Sequence, residues 1–361
     1  MKKAIQIVFV TVVCLILLFP IIGFNGKGEV SELENRKLAE KPKFSWKSFV
    51  PYDSYFQDRF GGRESLVELA NWFDYEILHR SLHNNLAIGG RHGWLFYTDA
   101  DDGDNLADFN KKNLLNNDQL EQLESNIQSV VEWCNANNLK YLFVICPNKH
   151  SVYPENYPYS RPAGKTRLFQ IDSVFRSLGV VYVNPCDTLI CLKNKENLPL
   201  YYETDTHWNP VGAYYAAQMI KAAIEKLFPD IEFSEWNKNV EVGYSNTEGD
   251  IMPLLNLKKA KSTRPIVKDG ANLFTDYYER VESDVEGRFQ THTGNKKLPT
   301  AIVFRDSFGS ALVPYLSTLF ANADYNWKQF RDDDKEYVLQ SKPDIVIFEA
   351  VERYSWSIVA E

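Results

Sequence analysis

The sequence predicts an α/β fold whose sheet is mainly parallel and flanked by helices. Short apolar runs of strand length recur at Tyr141–Cys146, Val180–Val183, Ala301–Phe304 and Ile345–Phe348. Runs that are apolar throughout suit strands covered on both faces. Stretches with apolar residues at helical spacing alternate with them, at Asp118–Cys134, Phe169–Leu178 and Val211–Leu227. That alternation points to parallel strands joined by helical crossovers. The composition agrees: 361 residues, 44% hydrophobic and 24% charged, are those of a folded chain with one large or two ordinary domains. With 40 basic against 48 acidic side chains, a formal charge of -8 and no dense Lys/Arg tract, a nucleic-acid partner is excluded, because phosphate binding needs clustered cations.

Taken from the N-terminus, Lys2 and Lys3 precede Ala4–Phe24, in which only Gln6 and Thr11 are clearly polar. At about 1.5 Å per residue this run would make a helix of roughly 31 Å, close to the thickness of a bilayer core. Residues 1–24 therefore read as a transmembrane signal anchor. Its lysines stay cytoplasmic, so the main domain lies in the periplasm, outside a cell membrane crossed once. A cleaved signal peptide is the alternative, although Ile22–Gly28 offers no small-x-small cleavage site. Residues 25–50 read as a polar stalk and residues 51–361 as the domain it carries. Tyr52–Phe60 and Arg63–His79 carry apolar residues at helical spacing, followed by a Gly89-Gly90 turn and a strand at Gly93–Tyr97. Residues 229–298 are polar, with two Gly-Asx steps and little periodicity. They read as an insertion over one edge of the sheet. No internal repeat is visible. Cys186 and Cys191 are close enough to pair in a loop, with buried free thiols as the alternative.

Open α/β sheets bind ligands where strands end, and two such ends hold reactive residues. In Tyr201–Pro210, Asp205 and His207 emerge on one face if the segment is extended, with Cα atoms roughly 6.6 Å apart. The carboxylate then fixes the imidazole tautomer and leaves the other nitrogen as a base. Asn209 suits an N-cap and Pro210 a first helical residue. In Ala301–Ser310 an apolar strand stops, Asp306-Ser307 follows, and a helix is expected over Ala311–Leu319. A serine there offers a hydroxyl, and its N–H suits an oxyanion. Both residues are equally ordinary helix caps. Asn148, just past the Tyr141–Cys146 strand, is the side-chain candidate for a further oxyanion donor, with loop capping as the alternative. Lys149 would attract an acidic polysaccharide if it were not simply solvated. His79 and His83 have metal-binding spacing but no companion ligand. Asp99, Asp101, Asp102 and Asp104 lack the glycine and glutamate positions of a calcium loop.

Asp205-x-His207-Trp208-Asn209, followed about 100 residues later by an apolar strand and Asp306-Ser307-Phe308-Gly309, resembles the SGNH-type domains of alginate O-acetyltransferases and their cell-surface relatives. Glu34-Asn35-Arg36-Lys37-Leu38, Phe56-Gln57-Asp58-Arg59-Phe60 with Arg63, Gly93-Trp94-Leu95-Phe96, Pro147-Asn148-Lys149 and Glu352-Arg353 agree in the same order, so the likeness spans roughly residues 30–355. The resemblance implies an SGNH-hydrolase-like fold, with Ser307 as nucleophile, His207 as base and Asp205 as its orienter. It implies an extracytoplasmic O-acetyltransferase that passes acetyl groups through an acyl-serine to hydroxyls of a polysaccharide. No cofactor is called for, and the acetyl donor would come from a membrane-bound O-acyltransferase partner. The usual glycine before Asp-Ser is Arg305 here, which either restricts the turn or places a cation near an anionic sugar or oxyanion. A carbohydrate acetyl esterase with the same three residues, and a non-catalytic glycan-binding or assembly subunit, are the alternatives.

Overall fold

The computed structural model describes residues 2–19, 21–26, 30–31, 36–43, 49–78, 82, 84–245, 249–257 and 262–360. Its centre is a seven-stranded sheet. In chain order the strands are β1 (Lys140–Cys146), β2 (Tyr182–Val183), β3 (Glu279–Glu282), β4 (Arg288–His292), β5 (Thr300–Arg305), β6 (Asn322–Trp327) and β7 (Ile345–Val351). Across the sheet they lie in the order β3-β4-β6-β5-β7-β1-β2. From β6 to β2 every pairing is parallel, whereas β3 and β4 pair antiparallel at one edge.

The sheet is thus mainly parallel but mixed, and its antiparallel part comes from residues 279–292. In β4 buried Phe289 and Thr291 alternate with half-buried Arg288, Gln290 and His292. A strand covered on one face needs only that alternation, and with one large apolar residue it leaves little signal. β6 reads Asn-Ala-Asp-Tyr-Asn-Trp, with its buried polar side chains supported from neighbouring elements. Arg288 Nε and Gln290 Nε2 donate to the Asp324 carboxylate at 2.9 and 3.1 Å.

The flanking helices are α1 (Asn117–Ala136), α2 (Arg167–Leu178), α3 (Pro210–Leu227) and α4 (Asp334–Ser341). Asn116 and Gln119 form a reciprocal capping box at the start of α1. Thr166 caps α2, which Gly179 ends at φ 63°, a left-handed conformation that glycine adopts without a Cβ clash. α1 lies against β1 and α2, while α3 lies against β1 and β2. The core is organised around a row of rings at matching registers of three strands, Phe304, Phe348 and Phe143. Phe175 of α2 meets Phe143 edge-on at 5.3 Å. Dense ring packing of this kind gives the strand ends a rigid base.

At the N-terminus an α-helix covers Lys2–Leu18, 17 residues. Among the described residues no helix is long and apolar enough to cross a membrane. Lys238–Ser245 pairs antiparallel with Ser262–Asp269. All five cysteines are free, with Cys186 and Cys191 on one short helix, Cys186–Leu192. His79 and His83 lie outside the described residues. In the acidic turn, Asp104 caps a helix by accepting from the Ala107 N–H, and Asp99 accepts from the Asp101 N–H at 2.9 Å. Those are capping and turn roles.

Candidate active site

The loop before α3 is a narrow hairpin. Asn209 N–H donates to the Leu200 carbonyl at 2.9 Å, Tyr202 N–H to the His207 carbonyl at 3.2 Å, and Tyr201 bridges Trp208. The Asn209 side chain accepts from the N–H groups of Val211 and Gly212, with Pro210 in the first turn, so the loop is fastened to a rigid helix as its sequence predicts. At its tip, Asp205–His207 is not extended. The Asp205 Oδ1 accepts from the His207 backbone N–H at 3.0 Å, closing a local Asx turn. The same oxygen lies 2.8 Å from His207 Nδ1. One carboxylate oxygen thereby holds both the backbone and the ring of the histidine.

The other loop begins where β5 stops. Asp306 is the capping residue of the pair. Its carboxylate accepts from the Phe308 N–H at 2.8 Å and the Val351 N–H at 2.6 Å. Ser307 makes no side-chain cap bond, and its Oγ lies 2.9 Å from His207 Nε2. In the neutral ring, with Nδ1–H committed to Asp205, Nε2 accepts from the serine hydroxyl. The two loops are tied directly: Trp208 Nε1–H donates to the Phe308 carbonyl at 3.1 Å, and the His207 ring lies 4.9 Å from the Phe308 ring. The helix expected over Ala311–Leu319 is instead three short turns, Phe308–Ala311, Val313–Leu316 and Ser317–Leu319. Turns this short carry little macrodipole, so any oxyanion stabilisation rests on individual donors.

A second carboxylate, invisible in the sequence reading, completes the site. Asp250 Oδ2 lies 3.4 Å from His207 Nδ1, and its backbone N–H donates to Asp205 Oδ2 at 3.2 Å. Thr206 N–H donates to Asp250 Oδ1 at 2.6 Å. Gly249 lets the two segments meet, since a Cβ there would lie 2.1 Å from the Thr204 carbonyl oxygen. The one signal in the sequence is this Gly249-Asp250 step in an otherwise featureless stretch. Burial alone would lower the His207 pKa, but Asp205 and Asp250 outweigh it and raise it to about 9. Burial likewise works to raise Asp205, and its bonds with His207 and the Asp250 N–H overcome this and lower it.

The remaining sequence candidates divide. Asn148 is buried, its backbone N–H donates to Glu352 Oε2 at 2.8 Å, and it makes no side-chain cap bond. Its Nδ2 is buried without an acceptor, a state costing about 1–3 kcal/mol unless a ligand atom relieves it. β1 pairs Cys146 with Val351, the residue whose N–H meets Asp306, so Asn148 lies at the same sheet edge as Ser307. Lys149 is neither solvated nor presented to a substrate. Its buried Nζ donates to the carbonyls of Leu95, Glu203 and Asp205 at 2.7, 2.8 and 3.0 Å, bracing the histidine loop from beneath. Burial lowers its pKa to about 7, against the pull of Asp205, Asp250 and Glu203. Arg305 fastens its own turn, with Nη1 donating to the Asp306 carbonyl and to Ser310 Oγ at 3.1 and 2.8 Å.

Among the described residues, two sets of side chains have the spacing of metal ligands, Asp205 with His207 and Asp250, and Asp108 with His150 and Glu352. In the first, both ring nitrogens are engaged by Asp205 and Ser307. The second is surrounded by Arg161, Arg167 and Arg353, whose charge opposes a cation.

An α/β sheet whose strand-end loops bring serine, histidine and aspartate into one hydrogen-bonded row has the architecture of an SGNH-like fold. Residues 87–303 match the model of the SGNH hydrolase-like domain of the acetyltransferase AlgX, and the chain belongs to that family. It is 25% identical over 221 residues to the probable alginate O-acetylase AlgJ of Pseudomonas aeruginosa, covering 61% of this chain and 53% of that protein. The same-named protein of Azotobacter vinelandii is 24% identical over 188 residues, 52% of this chain and 45% of that one. The chain thus spans about half the length of the curated relatives it matches. Among solved structures, Bacillus cereus PatB1 with a sulfonyl adduct superposes at a TM-score of 0.54 and 15% identity, over 78% of this chain and 99% of that one. A DHHW family protein from Eubacterium siraeum superposes at 0.51 and 15% identity, over 77% and 94%. These two likenesses are of fold.

Proposed function

We propose that this protein is an extracytoplasmic O-acetyltransferase that acetylates hydroxyls of a cell-surface or secreted polysaccharide through an acyl-serine. Membership of the AlgX domain family and similarity to proteins named as alginate O-acetylases support the acetyl transfer. The observation that carries the mechanism is the row Ser307 Oγ, His207 Nε2, His207 Nδ1 and Asp205 Oδ1, with contacts of 2.9 and 2.8 Å. Ser307 Oγ attacks the acyl carbonyl while His207 Nε2 takes its proton, and Asp205 keeps Nδ1–H in place and stabilises the imidazolium. The oxyanion is met by the Asn148 amide, whose Nδ2 otherwise has no acceptor. His207 returns the proton to the leaving group. It then deprotonates a sugar hydroxyl that attacks the acyl-serine and regenerates the serine.

The apolar run at the N-terminus, exposed at Ile5, Ile7, Val8 and Phe9, supports attachment to a membrane, with Lys2 and Lys3 on the cytoplasmic side. Acetyl groups then arrive from a membrane-bound O-acyltransferase. A second reading, a carbohydrate acetyl esterase, is favoured by one feature. The His207 and Asp205 side chains remain 27% and 24% exposed, so water reaches an acyl-serine unless an acceptor covers it.

The test is acyl-enzyme formation from an activated acetyl ester, followed with and without oligosaccharide. Wild type is expected to give an initial burst and Ser307→Ala none, with turnover falling on the order of 10³-fold or more. Acetylated sugar formed only by the wild-type protein supports transfer, and free acetate alone supports the esterase. A Ser307→Ala protein that still acetylates the glycan refutes both.

A further inference from the structure

Two helices precede the sheet, Val50–Arg59 and Arg63–Trp72, the second prolonged by a wider turn over Phe73–Ile77. We infer that this pair is a seat on the lipid bilayer, lying along the membrane surface with its apolar side in the hydrocarbon boundary. The inference rests on the membrane attachment read from the N-terminal run for its occupant, and on the helix pair itself for its chemistry.

The apolar stripe is the first argument. Leu66, Leu69, Phe73 and Ile77 recur at steps of three and four residues, the spacing of a single helix face. Such a stripe ordinarily faces a core, yet these four side chains are 43–58% exposed. No residue of Arg63–Trp72 is buried. The domain holds the helix by its other side. Asn71 Nδ2 donates to the Leu255 carbonyl at 3.0 Å, and the Tyr75 hydroxyl to the Gly93 carbonyl at 2.7 Å. At about 100° per residue, Asn71 and Tyr75 stand roughly 140° and 180° round the helix from Leu66. The stripe is therefore turned outward by construction, and soluble monomers rarely leave so continuous an apolar face to water.

Continuity names the occupant. The end of the apolar N-terminal run is fastened to the first helix, with the Phe24 ring 5.6 Å from that of Phe56 and 5.8 Å from that of Tyr55. Asn25 N–H donates to the Arg59 carbonyl at 2.9 Å, and the Arg59 guanidinium donates back to the Asn25 carbonyl at 3.0 Å. The Gly61-Gly62 step admits this junction. A Cβ on Gly61 would stand 1.6 Å from the Ile22 carbonyl oxygen, and one on Gly62 2.4 Å from the Phe19 ring. With the run in hydrocarbon, its end marks the membrane surface, and helices fastened there meet the same lipid. A groove of about 610 Å³ at the junction, lined by Ile21, Phe24, Phe56, Gln57 and Phe60, suits an acyl chain.

Length and placement agree. Ten and fifteen residues at about 1.5 Å each give roughly 15 and 22 Å, short of a core of about 30 Å, so neither helix crosses and both lie in plane. Phe49 and Trp72 are also exposed, and aromatic rings of this kind collect at the membrane–water boundary. On its inner side Tyr75 packs against the cluster of Leu95, Ile251, Met252 and Leu255, which continues directly from Asp250. Leu95 N–H in turn donates to the Glu203 carbonyl at 2.8 Å. The seat thus holds the His207 loop at a set height over the lipid.

The experiment attaches a fluorescent label to single exposed cysteines of the full chain in phosphatidylcholine vesicles, with the exposed Cys14 and Cys191 changed to serine. Leu69→Cys and Phe73→Cys report the stripe, and Glu132→Cys, at an exposed position of α1, reports the domain. Expected at both stripe positions is quenching by nitroxide-bearing lipid about threefold or more above that at Glu132. It should be stronger from a nitroxide near the glycerol end of the acyl chain than from one near the methyl end, because an in-plane helix sits shallow. Adding Leu66→Glu and Ile77→Glu to the Leu69→Cys chain is expected to lower the quenching about threefold or more. Equal quenching at all three positions in protein that floats with the vesicles overturns the seat and keeps the N-terminal attachment. Protein that does not float overturns both. Quenching unchanged by the two glutamates, or stronger from the deep nitroxide, also overturns the seat. Stripe labels shielded from aqueous iodide yet untouched by nitroxide lipid assign the face to a second copy of the chain instead. None of these readings depends on acyl transfer, so a failed burst and a failed seat are told apart.

Discussion

To take a proton from Ser307, the His207 imidazole must be neutral, and two carboxylates oppose that. Burial favours the neutral ring, but Asp205 and Asp250 prevail and its pKa stands near 9. The rate of acyl-enzyme formation is therefore expected to rise about tenfold per pH unit below that value and to level off above it. Asp250→Asn removes one carboxylate at Nδ1 and keeps most of the shape, so the whole rising limb is expected to move to lower pH, with a faster rate at pH 7. Asp205→Asn differs, because it removes the acceptor that fixes the tautomer, and a loss on the order of 10³–10⁴-fold is expected. Labelling rates with a sulfonyl fluoride across pH measure both. A limb that stays in place in Asp250→Asn would show that this carboxylate does not act on the histidine. The stability consequence has a definite sign. A histidine whose folded pKa lies above its ordinary 6.5 contributes stability that is full below that pH and is lost as pH rises through about 9.

Between residue and fold, the site depends on how three chain segments meet. Lys149 holds the histidine loop by the carbonyls of Glu203 and Asp205 and ties it to that of Leu95. Lys149→Met would fill the space but leave those carbonyls without their donor, at about 1–3 kcal/mol for each that stays buried. Amide hydrogen exchange at residues 203–207 is expected to quicken while that of β1 and β7 stays slow. Uniform quickening across the sheet would assign Lys149 to global stability instead. Gly249→Ala tests the third segment. Its Cβ would meet the Thr204 carbonyl at 2.1 Å, so Asp250 must move away, and the pH limb is expected to shift in the direction seen for Asp250→Asn. The same elements explain what the sequence disclosed. β1, β5 and β7 are buried on both faces and read as apolar runs, and Asn209-Pro210 announces α3 because caps are local chemistry. Ser307, His207 and Asp205 were legible through motif and strand end. Asp250 was not, since its contact crosses 45 residues of chain. β6 was hidden because Asn322, Asp324 and Asn326 suit a strand only once Arg288 and its neighbours are folded beside them. Lys149 was misread for a related reason, since a lysine in a sequence does not reveal three converging carbonyls.

At the scale of the whole molecule, the sheet edge that gathers Asn148, His207 and Ser307 is underlain by buried ionisable groups. Glu352 is fully buried and accepts from the Asn148 N–H and from Ser151 Oγ, both at 2.8 Å. It thereby links the oxyanion candidate to the fold. Burial first, and then the Asp108 carboxylate, push Glu352 up from 4.5 to about 7. A carboxyl whose folded pKa is raised binds its proton more tightly in the folded state. Its contribution to stability is therefore full below pH 4.5 and is lost as pH rises through about 7. Lys149 works in the same region with the opposite sign. Its folded pKa is depressed from 10.5 to about 7, so its contribution is full above 10.5 and is lost as pH falls towards 7. A single melting curve would mix the two, but the difference between wild type and Glu352→Gln isolates the carboxyl. Between about pH 5 and pH 7.5 the wild-type melting temperature is expected to fall relative to the variant by a few degrees. The Asn148 N–H bond favours the charged carboxylate, so the protection of that amide, taken relative to its intrinsic exchange rate at each pH, is expected to rise over the same interval. A melting difference that stays constant over that interval would mean that Glu352 does not change charge there, and that the support beneath Asn148 is indifferent to pH.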